Sequence, residues 1–449
     1  MEYVDLVIAP KYLLPIAPKN RALENHALVI HNRLIKAVLP TAEASARYTP
    51  KEYLELKNHV VMPGLINAHA HTPMNLFRGL ADDLSLMDWL QHHIWPAESA
   101  LINTQSVALG CQLAIAEMIR SGITCFNDHY FFHDTLASVA AEAGMRACIG
   151  LLVINVPTQW ARTETECLQK AKETLLHTPS HPLISWALAP HAPYTVTSAA
   201  LTQIKTLSDE YGLPIHMHVH ETAYEVNQSL KEHGTYPLIR LDQLGLLSPR
   251  FIAVHMTQLT DVDIARLKAT GTHVVHCPES NLKLSSGFAP IEKLREAKVN
   301  VAIGTDGAAS NNDLDLFGEM RTAALLAKGI GKPTDLPAEH VLEMATINGA
   351  KALGLDHKIG SLEPGKEADC IAIDLDTYFS HPVYNPFSHL VYAINRLQVS
   401  DVWIAGTRVL QDSQLTTLNT DRLIKDLLSW KMKADHFRKA EFVCPSPAK

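Results

Sequence analysis

The sequence lacks the marks of several large classes of protein. Its seven cysteines contain no C-x-x-C pair and are odd in number, so reduced thiols fit better than a disulfide framework. No G-x-G-x-x-G or P-loop pattern occurs, which leaves a nucleotide-cofactor enzyme without support. No run of five or six like charges occurs either, and a net charge of −8 argues against a surface for nucleic acid or anionic lipid.

Long apolar runs are also missing. The stretch 182–204 carries no charge, but it holds prolines, a histidine and many hydroxyl groups, so it does not predict a membrane span. Glu2 and Asp5 lie where a secretory signal would carry basic residues. We therefore expect a cytoplasmic protein without nucleic-acid or membrane partners. A homo-oligomer is compatible with the sequence, which does not fix the oligomeric state.

Short β-like runs alternate with helical stretches from residue 61 to about residue 355. The eight β-like runs are 61–66, 124–130, 146–152, 184–191, 214–221, 251–256, 272–278 and 300–306. Each is followed by an amphipathic stretch, and eight βα repeats in one unbroken series favour a closed parallel barrel over an open sheet. The sequence thus predicts an α/β fold with a (β/α)₈ TIM-like barrel over 61–356.

The flanks of this region have a different pattern. Residues 1–60 contain runs such as ALVIHNRLIKAVLP, and residues 357–449 contain ADCIAIDLD and VSDVWIAGTRVL before a C-terminal tail. Neither flank has enough strands for a stable unit of its own. We therefore expect the two flanks to pair into one small discontinuous β-sandwich.

Side chains of the types that bind metals lie at or just after the ends of four of the eight runs. They are His69, His71, His218, Glu221, His255 and Asp306. In a parallel barrel the carboxyl ends of the strands form the rim at which active sites are built. Three imidazoles and one carboxylate suit a single Zn²⁺ that keeps one position free for water. The sequence therefore predicts a zinc hydrolase.

The chemistry follows from the residue types. Zinc lowers the pKa of water from 15.7 to about 7, so a nucleophile becomes available at neutral pH. A nearby carboxylate such as Glu221 can carry protons between that water and the substrate. His255 is either a buried structural histidine or the residue that orients the water. The set suits attack on an electron-poor sp² carbon that bears an amino leaving group.

Spacing alone leaves some assignments open. His216, His218 and His220 alternate along one strand, so all three share a face and any of them could approach the metal. Glu221 could instead be a carboxylate favoured by the N-terminus of the following helix. Asp306 lies in Thr-Asp-Gly, which on its own is typical of a turn.

Several longer motifs make the sequence familiar. They are VMPGLINAHAHTPMNLFRGLADDL, ALAPHAPYT, HMHVHET, HCPESNLKLSSG, GTDGAASNNDLDLF and GSLEPGKEADCIAIDLD. Over nearly its whole length the chain resembles the amidohydrolase superfamily, and within it the branch of 5-methylthioadenosine/S-adenosylhomocysteine deaminases. The motifs are specific for the superfamily and less so for the substrate, since guanine deaminases, cytosine deaminases and triazine chlorohydrolases share much of the pattern.

The resemblance implies one zinc ion per chain, with four ligands: His69, His71, His218 and Asp306. It implies that Glu221 carries a proton to the purine ring nitrogen. His255 would position the hydrolytic water, and Asp306 would take up its proton. The strand-4 motif ISWALAPHAPYT has no lysine, whereas two-zinc relatives commonly bridge their metals with a carboxylated lysine there. The H-x-E and P-C-x-x-C signatures of the other zinc deaminases are absent as well.

Substrate contacts are implied in the same way. Glu98, in HHIWPAES, matches the family carboxylate that holds the ribose hydroxyls, and His191, in PHAPYT, matches a histidine on the purine side. The implied substrate-binding set is Glu98, His191, Glu221 and Asp306. Without the resemblance, Glu98 would have been interpreted as a solvated helix residue and His191 as a turn residue.

One departure from the family bears on the substrate. Some members place arginines just after the third strand, where they can pair with the homocysteine carboxylate. The segment 147–157 has no basic residue, and Arg162 follows only later. The sequence therefore predicts zinc-dependent deamination of 5′-methylthioadenosine, with S-adenosylhomocysteine and adenosine as further candidates. The alternative is a deaminase or chlorohydrolase of a free heterocycle such as guanine, cytosine or an s-triazine.

Overall fold

A computed structural model describes the backbone of residues 1–441 and the side chains of residues 1–437. Cys444 and the end of the predicted C-terminal tail lie outside the described residues. The six cysteines within them are buried and unpaired. None of the described helices has the length and apolar character needed to cross a membrane.

Seventeen strands are described, numbered in chain order. They are β1 Glu2–Leu13, β2 Leu23–Glu24, β3 His26–His31, β4 Leu34–Pro40, β5 Tyr48–Pro63, β6 Leu65–Ala70, β7 Ile123–Tyr130, β8 Arg146–Val153, β9 Ile184–Pro190, β10 Ile215–Val219, β11 Phe251–His255, β12 His273–His276, β13 Val301–Ile303, β14 Cys370–Asp374, β15 Val399–Ile404, β16 Thr407–Gln411 and β17 Gln414–Leu415.

Seventeen α-helices are described as well. They are α1 Thr41–Arg47, α2 Leu86–Trp89, α3 Trp95–Leu101, α4 Thr104–Arg120, α5 His133–Glu142, α6 Glu164–His177, α7 Ser198–Tyr211, α8 Ala223–His233, α9 Pro237–Gln243, α10 Asp261–Thr270, α11 Pro278–Lys283, α12 Ile291–Glu296, α13 Leu316–Ile330, α14 Ala338–Met344, α15 Ile347–Ala352, α16 Pro386–Tyr392 and α17 Thr420–Glu441. Three 3₁₀ turns (Thr72–Phe77, Tyr378–Ser380 and Arg396–Gln398) and one π-helical turn (Leu90–Ile94) complete the set.

Strands β6 to β13 form the predicted barrel. They pair in chain order, and all described pairs are parallel. A parallel bridge between Ala70 and Asp306 joins the last strand to the first. The approach is close, because a Cβ on Gly304 would lie 2.8 Å from the backbone nitrogen of His69. Glycine thus permits the seam at which two predicted metal ligands meet.

The strands of the two flanks pair with each other, as predicted. Their nine strands belong to one mixed sheet in which β5 of the N-terminal flank pairs antiparallel with β14 of the C-terminal flank. Apolar residues of both flanks share one buried cluster, which includes Ile8, Val61 and Trp403. Each flank thus supplies strands that the other lacks.

The first predicted barrel strand is the one that the structure divides. Its first three residues, Val61–Pro63, end β5 in the flanking sheet, and the barrel strand β6 begins only at Leu65. Both segments are apolar and buried, so periodicity could not assign them to different sheets. The exact division between the two units stays a prediction.

Candidate metal centre and active site

Four side chains converge at the carboxyl ends of β6, β10 and β13. The Nε2 atoms of His69 and His71 lie 3.3 and 3.2 Å from Oδ1 of Asp306. Nε2 of His218 lies 3.3 Å from Nε2 of His69. The structure thus brings together all four of the residues that the sequence proposed as zinc ligands.

These separations fit a tetrahedral ion. With zinc–ligand distances of about 2.0 Å, the edges of a tetrahedron are roughly 3.3 Å long. Three imidazole nitrogens and one carboxylate oxygen are donors that Zn²⁺ takes in proteins. The donor types therefore fit Zn²⁺, and three of the six separations among the four ligand atoms match its spacing.

The other nitrogen of each imidazole is held by a partner, which fixes the direction of Nε2. Nδ1 of His71 donates to the carbonyl of His129 at 2.6 Å, and Nδ1 of His218 donates to the carbonyl of His191 at 2.7 Å. Nδ1 of His69 lies 2.9 Å from a ring nitrogen of His216. Partners of this kind orient metal-binding histidines and set their tautomers.

The three alternating histidines of β10 therefore have three surroundings. Only Nε2 of His218 reaches the cluster, while His216 lies behind His69. His220 instead contacts the carbonyl of Gln258 and the backbone N–H of Leu238. His216 thus contacts His69 from within the strand, whereas His220 follows the strand end, where it has a φ of 53°.

Asp306 is held from several sides. Its Oδ2 accepts hydrogen bonds from Ser280 at 2.6 Å and Ser310 at 3.0 Å, and its Oδ1 accepts one from the N–H of Gly307 at 2.9 Å. Its φ of 63° lies in the left-handed region, and His255 has a φ of 75°. Strained backbone of this kind is concentrated at functional sites, where the surrounding structure holds it in place.

Glu221 and His255 lie beside the cluster. Nε2 of His255 is 3.9 Å from Oε2 of Glu221, and Nδ1 of His255 lies 2.8 Å from the side-chain oxygen of Asn281. Nε2 of His255 thus faces the cavity side. Burial raises the pKa of Glu221, although the neighbouring His255 opposes this. A carboxyl group with a raised pKa can both take up and release a proton near neutral pH.

A cavity of about 700 Å³ opens over the cluster. Every residue predicted for catalysis or substrate binding lines it: Glu98, His191, Glu221, His255 and Asp306. The rest of the lining includes the apolar side chains of Trp89, Leu90, Ile94, Phe131 and Leu152. A mostly apolar cavity with a few convergent polar groups suits a small organic ligand.

A smaller cavity of about 430 Å³ adjoins the first, and we name it the vestibule. Trp95, Glu98, Phe131 and Ile154 line both cavities. The walls of the vestibule come from α3 and from the 154–160 loop after β8, which Gln159 fastens to α3 through a 2.7 Å hydrogen bond to the carbonyl of Ser99. Glu98 thus stands between the cluster and the vestibule.

Glu98 lies in α3, between β6 and β7, and His191 directly follows β9; both side chains line the larger cavity. Burial raises the pKa of Glu98 to about 7, while a hydrogen bond from Tyr130 opposes the shift. Burial lowers the pKa of His191 to about 3, so this imidazole is neutral. Its Nδ1 lies 2.9 Å from the hydroxyl of Thr195.

Sequence reasoning missed the groups that hold the site in place. These are His216, Ser280, Asn281, Ser310 and Tyr130, each of which touches a predicted site residue. The alternation of His216 with His218 was a signal for the first. Ser280 and Asn281 lie together in α11, Ser310 lies four residues after Asp306, and Tyr130 ends β7, and no motif of the sequence marked these contacts.

A closed parallel barrel with this histidine–aspartate cluster at its carboxyl rim defines a metal-dependent hydrolase. The chain matches the model of the amidohydrolase family over residues 60–409, and it belongs to that family.

Proteins related in sequence match this chain over most of its length. A protein of Saccharophagus degradans named 5-methylthioadenosine/S-adenosylhomocysteine deaminase is 47% identical over 430 residues, covering 96% of each chain. A 5′-deoxyadenosine deaminase of Methanocaldococcus jannaschii is 43% identical over 376 residues, covering 83% of this chain and 88% of its own. The crystal structure of an adenosine deaminase from Xanthomonas campestris with bound zinc is 49% identical, with a TM-score of 0.95 over 97% of this chain and 99% of the other.

Proposed function

We propose that the protein hydrolytically deaminates the adenine ring of 5′-methylthioadenosine, releasing ammonia and the inosine analogue. The observation that carries the proposal is one cavity that holds the metal cluster, Glu221 and Glu98 together. Full-length relatives named for deamination of adenine nucleosides support the same reaction. The cluster supplies the chemistry, and Glu98 supplies a reason to bind a nucleoside.

We propose one zinc ion held by His69, His71, His218 and Asp306. When bound, zinc supplies a nucleophile at neutral pH, because it lowers the pKa of water from 15.7 to about 7. The ligand-atom separations of 3.2–3.3 Å support this ion. One zinc ion is enough for a hydrolase if protein side chains donate and accept the protons of the reaction.

Glu221 and His255 are the proposed proton-handling and water-positioning groups. Glu221 lies in the cavity with a raised pKa, so its protonated form can give a proton to a purine ring nitrogen. That proton makes the attacked carbon more electron-poor. His255, held at Nδ1 by Asn281, directs Nε2 to the water, and Asp306 takes up the proton that the water loses.

Glu98 and His191 are the proposed substrate contacts. A carboxylate at Glu98 can accept hydrogen bonds from both hydroxyls of a ribose. The neutral imidazole of His191 can form one hydrogen bond with the purine through Nε2, because its Nδ1 already contacts the hydroxyl of Thr195. A nucleoside would thus lie with its base toward the cluster and its sugar toward the vestibule.

The vestibule supports the choice of the 5′ substituent. Its lining is largely apolar, with Ile102, Val156, Pro157 and Trp160, and none of its described residues is a lysine or an arginine. Arg162, which follows the loop, is exposed and lines neither of these cavities in the described chain. A methylthio group suits such a wall, whereas a carboxylate would find no cation among the described lining residues, the nearby Lys170 being engaged with the ring and carbonyl of Trp160.

The second candidate function is hydrolysis of a free heterocycle by the same metal and Glu221. A free base or triazine has no diol, so it would leave Oε2 of Glu98 without a hydrogen-bond donor in a largely apolar cavity, since Tyr130 donates to Oε1. That cost argues for the nucleoside. A cytoplasmic location also stays a proposal, supported by the six unpaired, buried thiols.

Ammonia release by the zinc-loaded protein tests the proposal. The panel would contain 5′-methylthioadenosine, S-adenosylhomocysteine, adenosine, guanine, cytosine and a chlorotriazine. We expect the highest kcat/KM with 5′-methylthioadenosine. Turnover of only free bases or the triazine would overturn the assignments of Glu98 and His191 and leave the metal assignment intact.

A further inference from the structure

Tyr130 is a cavity residue to which neither the sequence nor the proposed reaction gives a task. It is the last residue of β7, it is 2% exposed, and it lines the cavity over the cluster. Its hydroxyl donates a hydrogen bond of 2.6 Å to Oε1 of Glu98. The contact joins a barrel strand to α3, a helix that lies outside the barrel between β6 and β7.

The position of Glu98 depends on this contact. α3 follows directly on α2 and a π-helical turn at Leu90–Ile94, an irregular segment of a kind that occurs mostly at functional sites. The hydrogen bond to Tyr130 is the side-chain contact that the structure gives to the Glu98 carboxylate. Without it, the carboxylate has rotamer freedom that a bound ribose would have to remove.

The Tyr130 hydroxyl also gives the two oxygens of the Glu98 carboxylate different hydrogen-bond roles. Oε1 already accepts from Tyr130, so Oε2, which has no donor among the described residues and carries two lone pairs, can accept from both hydroxyls of the ribose. A carboxylate held in one orientation binds a diol at a lower entropic cost than a mobile one. A short bond from a phenol to a carboxylate is also among the stronger protein hydrogen bonds.

We infer that Tyr130 is a positioning residue for sugar recognition, which fixes Glu98 so that the site selects ribosides with a free 2′,3′-diol over dideoxyribosides and free bases. The inference rests on the proposed ribose contact of Glu98. It assigns the selection to a pair of residues, one on the barrel and one on α3.

A merely structural role for Tyr130 would have different consequences. Removal of a hydroxyl that only satisfies a buried carboxylate lowers stability and affects all substrates alike. Removal of a positioning group acts through Glu98, so its effect is confined to ligands that Glu98 binds. Ligand analogues that lack the diol therefore separate the two roles.

The experiment compares the zinc-loaded wild type with Y130F, E98A and the double variant. The substrates are 5′-methylthioadenosine and its 2′,3′-dideoxy analogue. We expect E98A to remove the preference of the wild type for the riboside. We expect Y130F to lower that preference about tenfold, mainly through KM, and to change kcat/KM for the dideoxy analogue by less than about threefold. In the double variant the loss should equal that of E98A alone, because coupled residues are not additive.

Tyr194→Phe is the matched control, since Tyr194 lines the same cavity and is not bonded to Glu98 in the described structure. We expect it to change both substrates by the same factor. If Y130F does not fold, as judged by thermal melting, Tyr130→Leu serves in its place. It also removes the hydroxyl that donates to Glu98 and leaves Glu98 itself unchanged, and it should show the same riboside-selective loss.

The outcomes separate the inference from the proposal beneath it. A riboside preference that survives E98A would overturn the ribose contact in the proposed function. A preference lost in E98A but unchanged in Y130F would overturn the role of Tyr130 alone. Equal losses on both substrates in Y130F, or losses that add fully in the double variant, would do the same.

Discussion

The two ends of the active-site cavity are built by different means. At the metal end, the side chains come from strand ends, and each imidazole is held at its second nitrogen by a carbonyl or another histidine. At the vestibule end, the walls come from α3 and the 154–160 loop, and they are mostly apolar. The first end is directed by hydrogen bonds, and the second is shaped by packing.

This difference separates the reaction from the choice of substrate. Strand ends in a closed barrel cannot move without disturbing several neighbours, which suits ligands that must hold a fixed geometry. Loops and short helices tolerate substitution, which suits contacts that vary between relatives. Substitutions at the metal end should therefore affect all substrates alike, and those in the vestibule should change only the preference.

The largest expected effect is that of His218→Ala. Loss of one of four ligands should remove bound zinc and, with it, activity on every substrate. His220→Gln is the matched control, because His220 lies two residues further along and contacts Gln258 and Leu238 instead. Metal content by mass spectrometry checks both variants. A zinc count of one in His218→Ala would contradict the ligand assignment.

Glu221→Gln should have the second largest effect. The amide keeps the shape of the side chain but cannot carry a proton, so kcat should fall by roughly 10²–10⁴. Zinc content should remain that of the wild type, because Glu221 is not among the four proposed ligands. Steady-state kinetics with 5′-methylthioadenosine and adenosine should show the same factor for both. A loss confined to one of them would place Glu221 in substrate choice.

The sequence predicted more of the metal end than of the groups that surround it. The ligands follow apolar runs, and barrel closure brings the ends of such runs together, so their juxtaposition could be predicted from order along the chain. The boundary at Val61–Pro63 could not, because two adjacent apolar strands of different sheets look alike in sequence. Ser280 and Ser310 reach Asp306 from separate segments, and no local pattern marks them.

At the vestibule end, the site residue Glu98 could be predicted only through the family resemblance. Glu98 lies in a helix with a π-helical turn before it, and its sequence is that of an ordinary solvated helix. Its contact with Tyr130 spans 32 residues and two structural elements. Composition did predict the lack of a cation after the third strand, since that requires only the absence of basic residues in 147–157.

A smaller effect is expected from Ser280→Ala. Its hydroxyl donates to Oδ2 of Asp306 at 2.6 Å, so its loss frees a ligand carboxylate to rotate. Partners of this kind are worth about 10–100-fold in metal affinity, and the remaining bond from Ser310 should keep the loss near the lower value. Competition with a zinc chelator measures the affinity. The ratio of activities on 5′-methylthioadenosine and adenosine should not change, and a changed ratio would break the separation of the two ends.

The smallest expected effect is the most direct test of whether the vestibule, and not the metal end, selects the 5′ substituent. Val156 is half-buried in the vestibule wall, and Val156→Arg would place a cation where a 5′ substituent is expected. For S-adenosylhomocysteine, kcat/KM should rise about three- to fivefold, as for a partly exposed ion pair, while that for 5′-methylthioadenosine falls. Val156→Met matches the added length without the charge and should lower both. If Val156→Met also raised kcat/KM for S-adenosylhomocysteine, the wall would select by shape and not by charge. A change in zinc content in either variant would show that the vestibule and the metal end are coupled.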